Sequence, residues 1–563
     1  MSPLPSLSSR LARRAACAPT RSRWARAALL FALAGATAQA QAPYVHRLDK
    51  LDAQTAPYGE GCAPSLSADG SYATYVHTAF QLAPGSAACP GATHLYRQDL
   101  RVASRSQVNV DGLGGCLALQ AGPTPSAPGF LSADGRHVVF ASATPAPHLG
   151  DPDADRDVFL RDMLAPAPEL LSPVALGNVP SPNHADPILS GDANLVAYLT
   201  QLEPWAKSKG QYDGLALHDR ASGTTTLLDR LVYPQTSLLK TGYQRQPLLS
   251  LDGSTVAVMV PEPNGAGLYF LRTIDVATGT IIDHVGVANQ AAAHGTFALD
   301  RTGQRVAFET HLALVDADTD AASDIYTVEL DTGVLRLRTR SESGDYLDML
   351  CHRPSLSPDG RYVGFHAIGP DFHPSGADRY HVYVVDTTNG LITLESINDL
   401  AQPGTVAEGP PLALSASPSN LSERGGEIVF HSTYANLAAP QLTQPYPGTP
   451  TGVYLRERRT DGPQLEVPLL IAGQPATLQV TEAAPDALVL LGFTIQGQGP
   501  LPSYWGLVNL SPPFQVIATQ ADAAGVVSFG QVVPLGLKGT KLWIQGVDVT
   551  GNQPTTSYQG AVR

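Results

Sequence analysis

The stretch SPDGRYVGF, from Ser357 to Phe365, combines a turn signal with a strand signal. In the turn, the Asp carboxylate can accept hydrogen bonds from backbone amides, and Gly supplies a positive φ without steric cost. The alternating apolar residues that follow, ending at an aromatic, are typical of a buried strand. The stretch therefore predicts a tight turn that leads directly into a strand.

Seven related copies of this stretch occur, 50 to 65 residues apart. They are SLSADGSYATYVHT from Ser65, FLSADGRHVVFAS from Phe130, ILSGDANLVAYLT from Ile188, LLSLDGSTVAVMV from Leu248, ALDRTGQRVAFET from Ala298, SLSPDGRYVGFHA from Ser355 and ALSASPSNLSERGGEIVFHS from Ala413. Each copy is followed by a second strand, in the same order HLYRQDL, DVFLRDM, DGLALHDR, LYFLRTID, DIYTVEL, HVYVVDT and GVYLRER. A shorter apolar strand before the turn and a polar strand after these two complete a four-stranded antiparallel unit.

Such a unit cannot bury both faces alone, whereas a ring of units can. We therefore predict an all-β protein with a seven-bladed β-propeller, with six blades as the alternative. The segment YVHRLDK, from Tyr44 to Lys50, is expected to complete the last blade.

The repeats resemble those of TolB-like propellers, in which Ser-Pro-Asp-Gly precedes an apolar-aromatic strand. The later stretch VYVVDTTNG, from Val382 to Gly390, fits the same pattern, and the resemblance covers residues 44–465. It implies a propeller fold and protein–protein contacts in the periplasm. Three copies depart from the pattern: the third has Asp192-Ala193-Asn194, the fifth has Thr302-Gly303, and the seventh is interpreted as carrying an insertion.

The chain divides into three predicted parts. Residues 1–40 contain six arginines and no acid, followed by the apolar run AALLFALAGATAQA, which predicts a signal peptide. Residues 41–465 form the propeller. Residues 466–563 lack the turn motif and show short strands 8 to 15 residues apart, which predicts a small β-sandwich-like domain.

The charge balance narrows the expected partners and location. The formal charge is −14, and because the first 40 residues carry six positive charges, the remainder carries −20. So acidic a chain is not expected to bind nucleic acid through its general field. The leader predicts a periplasmic, secreted or cell-surface protein without a membrane span in the mature chain.

Four cysteines follow the predicted leader, and export permits disulfides. Cys89 and Cys116 fall in two connections that are expected to emerge on one face, so we predict that they pair. Cys62, just before the first inner strand, is the competing partner for either.

Two loops between the second and third strands of a blade carry alternating carboxylates, a pattern that suits Ca²⁺. The candidate ligands are Asp151, Asp153, Asp155 and Asp157 in one loop and Asp316, Asp318, Asp320 and Asp324 in the other. Neither loop has the glycine and glutamate of an EF-hand. The alternative is that both are solvated loops whose last Asp caps a strand.

No nucleophile, dinucleotide or phosphate-loop motif occurs, and the chain lacks a Gly-x-Ser-x-Gly pentapeptide. His366 and His431 follow the strand aromatic in neighbouring copies and are interpreted as outward or hydrogen-bonded strand residues. The sequence therefore favours a non-catalytic scaffold that binds a protein, a glycan or a surface polymer on a propeller face. The alternative is an enzyme of lyase or lactonase type that uses the central channel, which requires His, Asp or Glu side chains to converge at the channel mouth.

Overall fold

The computed structural model of the chain describes most of the predicted strands. The described residues are 45–48, 61–78, 83, 93–102, 104–119, 130–172, 179, 182–231, 247–261, 269–287, 297–316, 318, 322–339, 350–368, 381–388, 390, 392–396, 421–423, 425–432, 452–458, 463–468, 470–497, 501–503, 506–508, 510–551 and 553–562. The predicted leader lies outside them.

The chain forms two compact units, of which the first spans Pro43–Arg458. This unit contains seven antiparallel sheets, numbered here in chain order, and in sheets 1 to 6 each strand pairs with the next along the chain. Their strands are Gly61–Leu66, Tyr72–His77, His94–Asp99 and Ser104–Gln107 in sheet 1; Phe130–Leu131, His137–Ser142, Asp157–Asp162 and Glu169–Leu170 in sheet 2; His184–Leu189, Leu195–Thr200, Gly214–Asp219 and Thr224–Arg230 in sheet 3; Leu248–Leu249, Thr255–Pro261, Tyr269–Asp275 and Ile281–Val287 in sheet 4; Phe297–Leu299, Arg305–Thr310, Asp324–Glu329 and Leu335–Leu337 in sheet 5; Leu350–Leu356, Tyr362–Ile368, His381–Asp386 and Ile392–Leu394 in sheet 6; and Glu427–Ser432, Gly452–Glu457 and Val45–Arg47 in sheet 7.

The repeated turn forms as its residue types predict. In sheet 6, the Ser357 hydroxyl donates to Asp359 Oδ1 at 2.5 Å and accepts from the Tyr362 amide at 2.9 Å. Asp359 Oδ1 also accepts from the Arg361 amide at 3.0 Å, and Gly360 takes a φ of 72°. The same serine and aspartate contacts recur in sheets 1 to 4, from Ser67, Ser132, Ser190 and Ser250.

Backbone hydrogen bonds link the turn of each sheet to the turn of the next. The Ala133 amide donates to Gly191 O at 2.8 Å, and the Gly191 amide donates to Leu251 O at 2.7 Å. The series closes where the Glu423 amide of sheet 7 donates to Ala68 O of sheet 1 at 2.7 Å. The sheets of the described residues are therefore joined in one ring, and the predicted all-β propeller fold is confirmed.

Sheet 7 corrects the alignment of the seventh copy, because that copy carries no insertion. Its turn begins at Ser422, whose hydroxyl accepts from the Glu427 amide at 3.0 Å, as Ser357 does from Tyr362. Gly425 has a φ of 62° and holds the position of Gly360. Residues 413–415, where the copy was expected to begin, lie outside the described residues. Val45–Arg47 pairs with Gly452–Glu457, where the N-terminal segment was expected to add a strand.

The aromatic positions of the second and third strands pack against each other within five of the sheets. Phe140 stacks on Phe159 with ring centroids 5.8 Å apart, and Phe308 stacks on Tyr326 at 5.9 Å. Equivalent pairs lie in sheets 1, 6 and 7, and these rings are almost fully buried. Burial of each ring contributes on the order of 2 to 3 kcal/mol, so this repeated pair is a major part of the core.

The second unit contains residues 459–563. One sheet has the strands Gln464–Glu466, Pro475–Thr481 and Val527–Val532, another has Gln515–Gln520, Leu488–Thr494, Lys541–Asp548 and Gln553–Ala561, and Leu501–Ser503 pairs with Gly506–Val508. Leu478 and Val480 of the first sheet share a core with Leu491 and Ile544 of the second. The unit is thus two sheets packed face to face. Helical structure in the described residues is short: the helix α1 spans Pro204–Lys209, and 3-10 turns span Pro147–Leu149 and Leu535–Leu537.

Candidate functional site

The axis of the propeller is apolar where the repeated turns meet. A pocket there is lined by residues from the innermost strand or turn of every sheet in the ring, including Leu66, Leu131, Leu189, Leu249, Leu299, Leu356 and Leu421. Asp300 is the one ionisable side chain among the described residues that line it. Its Oδ1 accepts from the Gln304 and Arg305 amides, so Asp300 stabilises the turn of sheet 5.

Toward the other end of the innermost strand of sheet 6, polar side chains from three neighbouring sheets come together. We call Glu309, His352, Arg353, His366 and His431 the mouth cluster. Glu309 is 2% exposed, and its Oε1 lies 2.7 Å from His352 Nδ1 and accepts from the Ser323 hydroxyl at 3.1 Å. Its Oε2 accepts from the Arg353 amide at 3.0 Å. With a carboxylate on Nδ1, the proton of a neutral His352 ring resides on Nδ1, which leaves Nε2 as the basic nitrogen.

His366 lies directly across the strand pair from His352. It is 3% exposed, and its Nε2 has no hydrogen-bond partner among the described residues. Burial, followed by the positive charge of Arg353 and the neighbouring His431 and His352, holds the pKa of His366 well below its usual value. The interpretation of His366 as an outward residue is therefore wrong, and its interpretation as a hydrogen-bonded strand residue is not supported at Nε2 within the described residues. His431 is buried as well, at 6% exposed.

The backbone at Arg353 is strained. Arg353 has a φ of 55° and lies in a bulge that interrupts the pairing between His352 and Ser355. Ala63 and Asp186 hold the same position in sheets 1 and 3, with φ values of 52° and 51°, and each also precedes a proline. A positive φ is unfavourable for residues other than glycine, and such strain concentrates at functional sites.

A second candidate site is the acidic loop of sheet 2. One ligand atom each from Asp151, Asp153 and Asp157 lies within 4.8 Å of the others. Asp151 Oδ1 accepts from the Asp153 amide at 3.3 Å, and Asp153 Oδ1 accepts from the Asp155 amide at 2.9 Å. Asp155 does not join this group, because its carboxylate pairs with Lys207 Nζ at 3.1 Å. The structure thus brings three of the four predicted carboxylates together.

Asp157 begins the third strand of sheet 2 and is held by Ser172, whose hydroxyl donates to Asp157 Oδ1 at 2.5 Å. Burial, together with the negative charges of Asp151, Asp153 and Asp155, raises the pKa of Asp157 to about 7 despite this hydrogen bond. Burial also raises the pKa of Asp151, and the Asp153 carboxylate adds to the shift. The site therefore concentrates negative charge that the protein itself only partly stabilises.

The acidic loop of sheet 5 is arranged differently. Asp324 begins the third strand and accepts from the Thr339 hydroxyl at 2.5 Å, as Asp157 does from Ser172. Asp318, however, accepts a hydrogen bond from the Tyr326 hydroxyl, and Asp316 is exposed. Asp320 lies outside the described residues. Within the part of this loop that is described, no three carboxylates converge.

The predicted disulfide is described at one end only. Cys116 is disulfide-bonded, and its Sγ lies 3.5 Å from Asn109 Nδ2. Cys89 lies outside the described residues, so its pairing with Cys116 stays a prediction.

Sequence reasoning missed Glu309, His352 and Arg353 as members of a site. A signal was present, because the position after the strand aromatic carries Glu309, His366 and His431 in three consecutive copies, where Val76 and Leu199 stand in others. Ionisable residues at a repeated buried position indicate a site more strongly than one of them alone.

Comparisons with known proteins show only remote likeness. No protein-family model and no curated protein matches the sequence. Among solved structures, an oligogalacturonate lyase from Vibrio parahaemolyticus is 11% identical with a TM-score of 0.43, covering 73% of this chain and 93% of that one. Dipeptidyl peptidase 4 from Porphyromonas gingivalis is 12% identical with a TM-score of 0.35, covering 74% and 57%. A putative 6-phosphogluconolactonase from Bacteroides uniformis is 15% identical with a TM-score of 0.30, covering 59% and 82%.

No helix in the described part of the chain has the length and apolar character that a membrane span requires.

Proposed function

We propose that the propeller unit is an enzyme that performs acid–base chemistry on a small anionic substrate at the mouth cluster, with His352 as the general base. The observation that carries the proposal is the Glu309–His352 pair. A buried carboxylate 2.7 Å from Nδ1 orients the ring and stabilises the imidazolium that forms when Nε2 takes a proton.

The surroundings of His352 support an anionic substrate. Arg353 is the adjacent residue, and its guanidinium can bind a carboxylate through two parallel hydrogen bonds. His366 is buried opposite His352 with a neutral ring, so it adds no charge to the cluster.

Two reaction types fit this arrangement, and both need a base. In a lyase reaction, His352 would remove the proton from the carbon next to a carboxylate, and Arg353 would stabilise the negative charge that develops. The C–O bond to the neighbouring carbon would then break as the C=C bond forms, and the departing oxygen would take a proton from water. In a lactonase reaction, His352 would remove a proton from the attacking water, whose oxygen bonds to the carbonyl carbon, and would return that proton to the ring oxygen as the ring C–O bond breaks. Convergence of Glu309, His352, His366 and His431 favours either of these over the scaffold that binds a protein, a glycan or a polymer.

The TolB-like resemblance, export to the periplasm or the cell surface, and binding of a macromolecule on a propeller face remain proposals. They are compatible with catalysis, since an exported propeller can degrade a glycan that it also binds.

The test is turnover by the purified full chain. Uronate-containing oligosaccharides are assayed for the ultraviolet absorbance of an unsaturated product, and aldonolactones are assayed for acid release. We expect His352→Ala to reduce kcat on the active substrate by 10²-fold or more, the usual contribution of a general base. Glu309→Gln should reduce kcat less and move the pH profile, because it changes the basicity of His352.

The matched control is His148→Gln, which changes an exposed histidine outside the mouth cluster. It should leave the kinetics unchanged. Binding of these compounds in calorimetry without any turnover would contradict the enzyme and support the scaffold. Turnover that survives His352→Ala would contradict the assignment of His352.

A further inference from the structure

We propose that the acidic loop of sheet 2 binds one Ca²⁺ ion through Asp151, Asp153 and Asp157, and that the equivalent loop of sheet 5 does not. The proposal is independent of the function of the mouth cluster.

The first observation is that one acceptor atom lacks a partner. Asp151 is 2% exposed, and its Oδ2 is buried without a hydrogen-bond partner among the described residues. A buried carboxylate oxygen without a donor is unfavourable by roughly 1 to 3 kcal/mol or more. Asp151 borders a small cleft that Asp153, Asp155, Asp157, Ser172 and His184 also line.

The second observation is that no lysine or arginine pairs with the group. In the described part of the chain, no salt bridge reaches Asp151, Asp153 or Asp157, and the nearby Lys207 pairs with Asp155 instead. His184 is the basic residue that lines the cleft. Three carboxylates therefore face one small cleft without a lysine or arginine partner among the described residues, and a divalent ion would supply the positive charge.

The origin of the ligands favours Ca²⁺ over Mg²⁺. The ligand atoms of Asp151, Asp153 and Asp157 lie within 4.8 Å of one another, close enough to contact one cation. All three come from one short loop segment, whereas Mg²⁺ requires near-ideal octahedral geometry. Ca²⁺ also accepts the irregular ligand geometry of a loop, and water can complete its six to eight ligands.

In sheet 5 a side chain of the protein donates a hydrogen bond to the equivalent buried carboxylate. Counted back from the start of the third strand, Asp318 holds the position of Asp151, and Tyr326 holds the position of Phe159. The Tyr326 hydroxyl donates to Asp318, whereas Phe159 has no hydroxyl to offer Asp151. The Leu314 amide also donates to the Tyr326 hydroxyl, and the position equivalent to Leu314 is Pro147, which has no amide hydrogen.

The experiment is isothermal titration calorimetry of the full chain with CaCl₂ after removal of metal, together with thermal melts in EDTA, in Ca²⁺ and in Mg²⁺. We expect one Ca²⁺ per chain and a melting temperature that rises with Ca²⁺ concentration, since only the folded loop presents the ligands together. Mg²⁺ should produce a much smaller rise.

Asp157→Asn should abolish the Ca²⁺ response while the variant in EDTA melts no lower than the wild type, because the substitution removes like-charge repulsion. Asp153→Asn, at a less buried position, is the second variant and should weaken binding at least tenfold. The matched control Asp316→Asn changes an exposed carboxylate beside the sheet 5 loop and should leave the response intact.

Absence of Ca²⁺-dependent heat and of any shift in melting temperature would overturn the proposal. A response that persists in both sheet 2 variants but disappears in Asp318→Asn would overturn the choice of loop. An equal response to Mg²⁺ would overturn the choice of ion.

Discussion

The acidic loops of sheets 2 and 5 have similar sequences and different chemistry. Both place an Asp six residues before the Asp that begins the third strand, Asp151 before Asp157 and Asp318 before Asp324. In both, a hydroxyl fifteen residues later holds the second Asp, from Ser172 or Thr339. The first Asp is satisfied by a tyrosine in sheet 5 and lacks a donor on Oδ2 in sheet 2. A single aromatic position in the neighbouring strand thus separates a hydrogen-bonded loop from a candidate metal site.

The largest effect, a loss of folding stability, is expected in sheet 5 from Tyr326→Phe. The change leaves the buried Asp318 carboxylate without its donor and the Leu314 amide without its acceptor, and we expect it to lower the free energy of unfolding by about 1 to 3 kcal/mol. Urea unfolding of the full chain measures it. In an Asp318→Asn background the loss should shrink, because the group left unsatisfied is no longer charged. Equal losses in both backgrounds would show that the hydroxyl does not stabilise Asp318.

This comparison shows why the sequence predicts the fold better than the site. The turns follow from local chemistry. Ser357 and Asp359 form their hydrogen bonds, and Gly360 its positive φ, within six residues. The sequence of each copy is therefore enough to predict its turn. The seventh copy is hard to align from sequence because the Leu-Ser pair at residues 414–415 recurs at Leu421-Ser422. The hydrogen bond from the Glu427 amide to the Ser422 hydroxyl places the turn at the second pair.

The site residues depend on contacts that no local pattern contains. Whether Asp151 has a donor is decided by Phe159 in the next strand. Lys207, which pairs with Asp155 and so removes it from the group, belongs to helix α1, between the second and third strands of sheet 3. Glu309 and His352 are 43 residues apart and meet because sheets 5 and 6 are neighbours in the ring. Spacing predicted the acidic loops but could not decide which carboxylates converge.

A smaller effect is expected from Phe159→Tyr, which makes the sheet 2 loop resemble that of sheet 5. The new hydroxyl can donate to Asp151 and compete with Ca²⁺, so we expect the Ca²⁺ affinity to fall about tenfold, equivalent to one hydrogen bond of roughly 1.4 kcal/mol. The melting temperature in EDTA should rise or stay the same. Calorimetry with CaCl₂ measures the affinity, and unchanged Ca²⁺ binding with unchanged stability would mean that this aromatic position does not control the loop.

The smallest effect is expected at the far end of the same two strands, where both sheets carry an ion pair. Arg136 Nη2 lies 2.6 Å from Asp162 in sheet 2, and Arg305 pairs with Glu329 in sheet 5.

The hydrogen bonds from Arg136 hold the pKa of Asp162 below its usual range. A carboxyl group whose pKa is lower in the folded state stabilises the fold above its unfolded pKa, near 4, and this contribution disappears as the pH falls through the folded pKa. Arg136→Ala should therefore produce a small loss of stability at pH 7 that becomes smaller as the pH falls below 4 and shrinks in high salt, because the pair is largely exposed. Unfolding curves at pH 7 and pH 3, each at low and high salt, measure it. A loss that is independent of both pH and salt would assign the effect to packing of the arginine stem, and the pair would then contribute nothing to the difference between the two sheets.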